Sequence, residues 1–361
     1  NSNIVDAETC EWLANYRFQG DIWGYREGEI YFPYSPVLSV EATFADAVIL
    51  ETLILSVLNA DSAVASAASR MVGVANGRFL VEMGSRRTGE ASAVAAARAA
   101  YLAGFDATSN LEAGRSWAIP TMGTAAHAFT LLHDSEEQAF RAQIETFGKS
   151  TTLLVDTYDI ESAVRTAVEI AGSGLGAVRI DSGDLALEVG KVRRLLDQLG
   201  AKETKITVTS DLDEFAIAAL AAAPVDSYGV GTSVVTGSGA PTAGFVYKLV
   251  AVQDEGGDWA SVAKKSAQKK NLGGRKQALR RHDEDGVAIA EVVTSGRHQN
   301  ISESDRDLIE PLVIEGNPVP EHLGEVGTKA AREHHRFAKV SLPLQAHRLT
   351  RGEPCVPTQL G

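Results

Sequence analysis

Polar and glycine-rich clusters recur along the middle of the chain, each directly after a short apolar run. They are Gly84-Ser85-Arg86-Arg87, Thr108-Ser109-Asn110, Gly123-Thr124-Ala125-Ala126-His127, Asp156-Thr157-Tyr158-Asp159, Asp181-Ser182-Gly183-Asp184, Ser210-Asp211 and Gly229-Val230-Gly231-Thr232. Between them they hold arginines, carboxylates, one histidine and two glycine-rich turns. Guanidinium forks and backbone N–H groups freed by glycine suit phosphate, and carboxylates suit Mg²⁺ or sugar hydroxyls. The chemistry implied is the handling of a phosphorylated sugar. Some members also have a plainer reading. Ser210 and Asp211 can be helix N-caps, and Asp159 reads as one before a helix over 160–171. His133 reads as structural.

The apolar runs that carry these clusters are 79–83, 104–107, 118–121, 152–156, 177–181, 205–209 and 227–230. Amphipathic helical patterns lie between several of them, at 89–103, 160–171, 184–199 and 213–222. Short strands alternating with helices predict a parallel sheet, and seven strands without a dinucleotide fingerprint favour a β/α barrel. In such a barrel the strand ends converge on one face, which gathers the polar clusters. Outside 73–244 the pattern changes. Residues 21–25, 29–32 and 37–41 read as a small antiparallel sheet, and 45–60 as a helix. Residues 245–252 read as a long strand, with 287–293 as another. The prediction is a barrel domain over 73–244 and a second α/β domain built from both chain ends, 1–72 and 245–361.

The 361 residues carry 34 Lys and Arg against 47 Asp and Glu, a net charge of −13. That balance argues against general binding of nucleic acid or anionic membranes. No apolar run reads as long enough to span a bilayer. Two cysteines, Cys10 and Cys355, cannot form a disulfide framework, and a reducing, cytoplasmic setting is expected. The chain begins at Asn1 without Met and reads as a fragment or a processed start. Phe147-Gly148-Lys149-Ser150-Thr151 ends like a phosphate-binding loop, but Gln143 stands where the first glycine is needed. Gly172-Ser173-Gly174-Leu175-Gly176 reads as a helix end and turn. His334-His335 is a weak metal signal that reads as a solvated helix face. The cationic run Lys264–Arg281 suggests a loop that gathers a polyanion.

Taken together, Glu82-Met83-Gly84-Ser85-Arg86-Arg87, Gly123–Phe129, Arg179-Ile180-Asp181-Ser182-Gly183-Asp184, Gly229-Val230-Gly231-Thr232, Val246–Val250 and Gly274-Arg275-Lys276-Gln277 resemble the nicotinate phosphoribosyltransferase family, in order and spacing. The resemblance runs from about Tyr16 to the C-terminus. It implies an irregular type II phosphoribosyltransferase-like α/β barrel, an α/β sandwich domain and a homodimer. It also implies nicotinate and phosphoribosyl pyrophosphate as substrates, Mg²⁺, and ATP as a co-substrate. By the same resemblance, His127 is the histidine that ATP phosphorylates, with Arg179 and Asp181 as its catalytic companions. Arg86, Arg87, Ser109, Thr124, Ser210, Asp211, Gly229, Gly231 and Thr232 are substrate-binding, and Asp181 and Asp184 are metal-binding. Ser109 stands where relatives acting on the amide carry Asp, which favours the acid. The family's N-terminal Thr-Asp-x-Tyr-like motif is absent from this sequence. The alternatives are a phosphoribosyltransferase for nicotinamide or quinolinate and a non-catalytic phosphosugar-binding protein. A Schiff-base aldolase is disfavoured, because no strand-end cluster holds a lysine.

Overall fold

A computed structural model of the chain describes residues 4–263, 272–296 and 301–361. The chain divides into two compact units, Leu58–Gly244 and Asn1–Val57 with Phe245–Gly361.

The continuous unit is an α/β fold around a curled six-stranded parallel sheet. Its strand order is Ala107–Thr108, Phe79–Glu82, Ser227–Val230, Lys205–Val208, Ala177–Ile180, Thr152–Leu154. The first and last strands of the unit's main run pair directly, with Val81 opposite Gly229, as in a barrel. Among the described residues no ladder joins the 107–108 strand to the 152–154 strand, so the sheet is a half-barrel. Two expected strands are much reduced. Residues 118–121 supply only a bridge from Thr121 to Thr108, because Pro120 has no N–H to give a ladder. The 104–107 run starts pairing only at Ala107. Before it, the Asp106 carboxylate takes the Leu80 N–H at 2.9 Å, where a strand would offer a carbonyl.

Side chains fill the half-barrel from both layers. Leu153, Val178, Ile180, Ile206, Val208, Tyr228 and Val230 are fully buried on the strands. Helix Ile160–Ala171 buries Ala163, Val164, Ala167, Val168 and Ala171, the recurrence at three and four residues that an amphipathic helix requires. Its N-terminus is capped by Asp159, which accepts from the Ser162 N–H at 2.8 Å. Helix Glu214–Ala219 is capped by Asp213, not by Ser210 or Asp211, which frees those two from the capping role.

The discontinuous unit contains two four-stranded sheets and a hairpin among the described residues. In one sheet Asp21–Tyr25 lies between Leu38–Glu41 and Ile309–Ile314, so the two ends of the chain share a ladder, with Ile22 opposite Val313. The other contains Lys276–His282, Ala288–Ser295, Arg306–Asp307 and Thr358–Leu360. The predicted strand at 29–32 does not form. Gly28 turns the chain at φ +92°, where an added Cβ would sit 2.2 Å from the Ala331 carbonyl oxygen, and Glu29 is drawn into buried ion pairs. The predicted strand at 245–252 shrinks to Ala251–Gln253, paired with Trp259–Ser261.

The cationic run and the paired histidines take structural places. Lys264, Lys265, Lys269 and Lys270 lie outside the described residues. Arg275 pairs with Glu41 at 2.6 Å, and Arg281 pairs with Asp305. Arg280 is fully buried between Glu29 and Glu291. Lys276 donates to the Gly274 carbonyl at 2.8 Å. The three described arginines of the run are thus spent on carboxylates of the chain and the described lysine on a backbone oxygen. His334 contacts Glu29 at 2.7 Å and His335 the Gly28 carbonyl at 3.0 Å, so neither lies on a solvated face.

The stretch Phe44–Val74 is long and apolar enough by length and composition to cross a bilayer, the one such stretch among the described residues. Its C-terminal part buries Ala67, Ala68 and Met71 in the core of the continuous unit, while only 11% of its most apolar window is buried.

Candidate active site

Arg179 leaves the end of the Ala177–Ile180 strand and organises its neighbours. It donates from Nε to Thr209 Oγ1 at 2.8 Å, from Nη1 to Thr124 Oγ1 at 2.6 Å and from Nη2 to Asp181 Oδ1 at 3.0 Å. The Thr209 hydroxyl in turn donates to Asp181 Oδ1. One planar guanidinium thus ties together three strand ends, a task that a single ammonium cannot perform with the same geometry. Burial pushes the Asp181 carboxyl up, but the Thr209 hydrogen bond, Arg179 and His127 outweigh it and hold Asp181 below the usual carboxylate range.

His127 is the first residue of helix His127–Leu132. Its Nδ1 lies 3.2 Å from Thr157 Oγ1. Its Nε2 faces Asp156 Oδ1 and Asp181 Oδ2, each at 3.8 Å. The Asp156 side chain is buried, and its Oδ2 accepts from the Asp181 N–H at 3.0 Å and the Ser182 hydroxyl at 2.6 Å. Asp156 Oδ1 has no hydrogen-bond partner. The histidine is therefore bracketed by two carboxylates and a hydroxyl from two strand ends, Asp156 and Thr157 from one and Asp181 from the other. His133, by contrast, turns its Nδ1 to the Phe129 carbonyl at 2.8 Å and stacks on the Phe129 ring, a structural place.

The remaining predicted residues divide into several groups. Arg86 and Arg87 are exposed after the Phe79–Glu82 strand, with no ion-pair partner among the described residues, and are free to meet an anion. Ser109 donates its N–H to the Glu82 carbonyl at 2.8 Å. Gly229 has a packing reason to be glycine, since an added Cβ would stand 2.7 Å from both Met83 Sδ and Thr209 Cγ2. A side chain there would push on the hydroxyl that Arg179 and Asp181 share. Gly231 precedes the short Thr232–Val235 helix, and Thr232 is exposed. Asp184 accepts from the Leu187 N–H at 3.2 Å as the cap of helix Leu185–Gln198. Asp211 is exposed, and no hydrogen bond or ion pair joins its side chain to Arg179 or His127.

Ser210 has φ +129°, a conformation that a side chain strains. Ser210→Gly should relieve that strain and stabilise the unit by about 1 kcal/mol. The gain should appear as a rise of about 2–4 °C in Tm by calorimetry. An unchanged or lower Tm would show that the turn is not strained.

Asp156 and Thr157 join this arrangement, and Glu82 lies beside it; the sequence places all three in clusters or motifs but gives them no role, and Thr209 carries no signal there beyond its place at a strand end. Glu82 is buried, and its carboxylate accepts from the Gly84 N–H and from the Thr108 hydroxyl at 2.6 Å. Burial pushes its carboxyl up against those two hydrogen bonds. The signal for Asp156 was present, since it too follows a buried strand directly.

A half-barrel with a guanidinium hub, a carboxylate-flanked histidine and two free arginines at its strand ends defines an α/β enzyme that handles phosphorylated sugars. Comparison with known proteins narrows the class. The profile of the nicotinate phosphoribosyltransferase (NAPRTase) N-terminal domain matches residues 1–59. The nicotinate phosphoribosyltransferase pncB1 of Mycobacterium tuberculosis is 53% identical over 99% of this chain and 80% of its own length. The pncB2 protein of that organism is 40% identical over 87% of this chain and 68% of its own. Among solved structures, the nicotinate-nucleotide pyrophosphorylase of Pyrococcus furiosus superposes with a TM-score of 0.77 at 26% identity, covering 93% of this chain and 84% of its own. Human nicotinic acid phosphoribosyltransferase superposes with a TM-score of 0.80 at 22% identity, covering 100% of this chain and 84% of its own, a likeness of fold. The chain belongs to the nicotinate phosphoribosyltransferase family, enzymes of NAD biosynthesis.

Proposed function

We infer that the chain joins nicotinate to phosphoribosyl pyrophosphate, releasing pyrophosphate, and that it couples this transfer to ATP through a phosphohistidine at position 127. The observation that carries the coupling is the setting of His127 between Asp156, Asp181 and Thr157. The Asp156 and Asp181 carboxylates, each 3.8 Å from Nε2, favour a proton on that nitrogen electrostatically, which leaves the Nδ1 lone pair beside the Thr157 hydroxyl. That nitrogen would attack the terminal phosphorus of ATP. The N–P bond forms as the bridging P–O bond breaks, and ADP leaves. Water later cleaves the N–P bond to give phosphate.

In the transfer step the pyridine nitrogen attacks the anomeric carbon as its bond to the pyrophosphate oxygen breaks. The protein's part is orientation and charge. Arg179, fixed by Thr124, Thr209 and Asp181, presents a rigid cationic edge, and the exposed Arg86 and Arg87 offer cations to the nicotinate carboxylate or the phosphates. Mg²⁺ fits this site as the counter-ion that accompanies pyrophosphate, where it would neutralise the leaving group. No group of three metal-ligating side chains comes together among the described residues. Asp181 Oδ2 and the Asp184 oxygen that does not cap its helix are the oxygens available to such an ion. The exposed Phe44, Val48, Leu53 and Val57 give an apolar face that fits a homodimer. Cys10 and Cys355 are free thiols, consistent with a cytoplasmic setting.

The test is mononucleotide formation from phosphoribosyl pyrophosphate and Mg²⁺ with nicotinate, nicotinamide or quinolinate, with and without ATP. Nicotinate mononucleotide, increased by ATP, is expected. In His127→Ala some ATP-independent transfer should persist while the ATP stimulation is lost. Unchanged stimulation would sink the phosphohistidine.

A further inference from the structure

The turn that carries Arg86 and Arg87 is tied to the neighbouring strand end by a closed ring of hydrogen bonds. Strands Phe79–Glu82 and Ala107–Thr108 run parallel, with Glu82 opposite Thr108. Glu82 is 1% exposed. One of its carboxylate oxygens accepts the Gly84 N–H, and the other accepts the Thr108 hydroxyl at 2.6 Å. Thr108 Oγ1 in turn accepts the Asn110 N–H at 2.9 Å, and Asn110 Nδ2 donates to Ser85 Oγ at 3.0 Å. Asn110 Oδ1 takes the Ala113 N–H at 2.9 Å, which fixes the end of that amide that faces Ser85. The path therefore runs from Glu82 through Gly84 and Ser85 to Asn110 and returns through Thr108. The Ser109 N–H braces it with a bond to the Glu82 carbonyl at 2.8 Å.

The ring fixes the backbone directly ahead of two exposed arginines. Its space is fully taken at Gly84, where an added Cβ would stand 2.2 Å from Val235 Cγ1, 2.9 Å from Glu82 Oε1 and 3.0 Å from the Gly231 carbonyl oxygen. The turn closes as the Arg87 N–H donates to the Gly84 carbonyl at 2.8 Å. A buried carboxylate is a costly way to join two strand ends unless both its oxygens are satisfied, as they are here.

We propose that Glu82, Ser85 and Asn110 are positioning residues for Arg86 and Arg87: the ring holds the backbone from which both guanidiniums reach the oxygens of an anionic substrate. The proposal rests on the reading that these arginines meet substrate. Long exposed side chains lose conformational freedom on binding, and a backbone already in place leaves less to be lost. Misplacing a binding group by about 1 Å can cost about 10²-fold in rate. The anion is a carboxylate or a phosphate, since a guanidinium fork fits the oxygens of either.

The experiment is a double-mutant cycle on the full chain. It reads kcat/KM for nicotinate and for phosphoribosyl pyrophosphate, each with the other saturating, and so separates carboxylate from phosphate. Ser85→Ala opens the ring at a half-buried hydroxyl and leaves the Asn110 cap in place. It should lower kcat/KM about fivefold for whichever substrate is affected by replacing Arg86 and Arg87 with Ala. On the background lacking both arginines it should cost nothing further, because nothing is left to position. Glu82→Gln turns an amide N–H towards one of two donors and should cost about tenfold, with the same dependence on background. A Ser85→Ala loss of equal size in both backgrounds is a purely structural effect and overturns the proposal, as does wild-type kcat/KM in Ser85→Ala. Amide hydrogen exchange at Arg87 reads the turn without turnover. Exchange at least about threefold faster in Ser85→Ala is expected, and an unchanged rate overturns the proposal. A chain lacking both arginines that is as active as wild type sinks instead the substrate contact on which the proposal rests.

Discussion

Arg179→Ala should lower kcat/KM for phosphoribosyl pyrophosphate by about 10²–10³-fold while the protein stays folded. The guanidinium holds Thr124, Thr209 and Asp181 in one plane, and its loss removes both a cation and the alignment of the groups around it. Arg179→Lys should recover little, because one ammonium cannot reproduce three donors set in a fork. A second consequence concerns Asp181. Without Arg179 its carboxyl rises from its lowered position, so the acid limb of the pH–rate profile should move to higher pH. Steady-state rates at saturating nicotinate, read against pH, check both statements. A loss smaller than tenfold with an unmoved acid limb would reduce Arg179 to a packing role.

The other large effect lies in the discontinuous unit. Arg280 is fully buried, donates to Glu291 Oε2 at 2.9 Å and to the Ile30 carbonyl at 2.7 Å, and lies over the Phe32 ring. Glu291 also accepts from the Tyr25 hydroxyl at 2.7 Å and from the Ser35 hydroxyl. Arg280→Ala leaves a buried carboxylate short of its counter-charge and should destabilise the protein by about 3–5 kcal/mol, seen as a lower midpoint in urea. Arg280→Ala with Glu291→Gln should recover part of that loss, because the stranded charge is then gone. A double variant no better than the single one would show that the cost is a cavity and not a charge.

These two arginines also mark what the sequence could and could not reveal. Arg179, Asp181 and His127 are legible because each stands directly after a buried strand or in a strand-end turn, and a parallel sheet sends all such positions to one side. Asp156 has the same position, yet its partner is a backbone N–H 25 residues away, which no local pattern shows. Asp184 stands in a strand-end cluster, and only the bond from the Leu187 N–H shows that it also caps a helix. Arg280 escapes the sequence for a related reason. A run of cations without acids looks solvated or anion-seeking, but the carboxylates that neutralise it, Glu29 and Glu291, lie elsewhere in the chain. His334 and Glu29 pose the same problem across 305 positions. The shortened strands have local causes in Pro120 and Asp106, which periodicity outvoted.

The ladder between Ile22 and Val313 has a consequence for synthesis. At about 5–20 residues per second the ribosome needs roughly 15–60 s to deliver the second strand after the first. All the strands of the half-barrel emerge during that interval, since the last of them ends at Val230. The nascent chain therefore builds its catalytic half first, while the Asp21–Tyr25 strand waits with one edge unpaired, a template for aggregation that chaperones must guard until the far end of the polypeptide arrives.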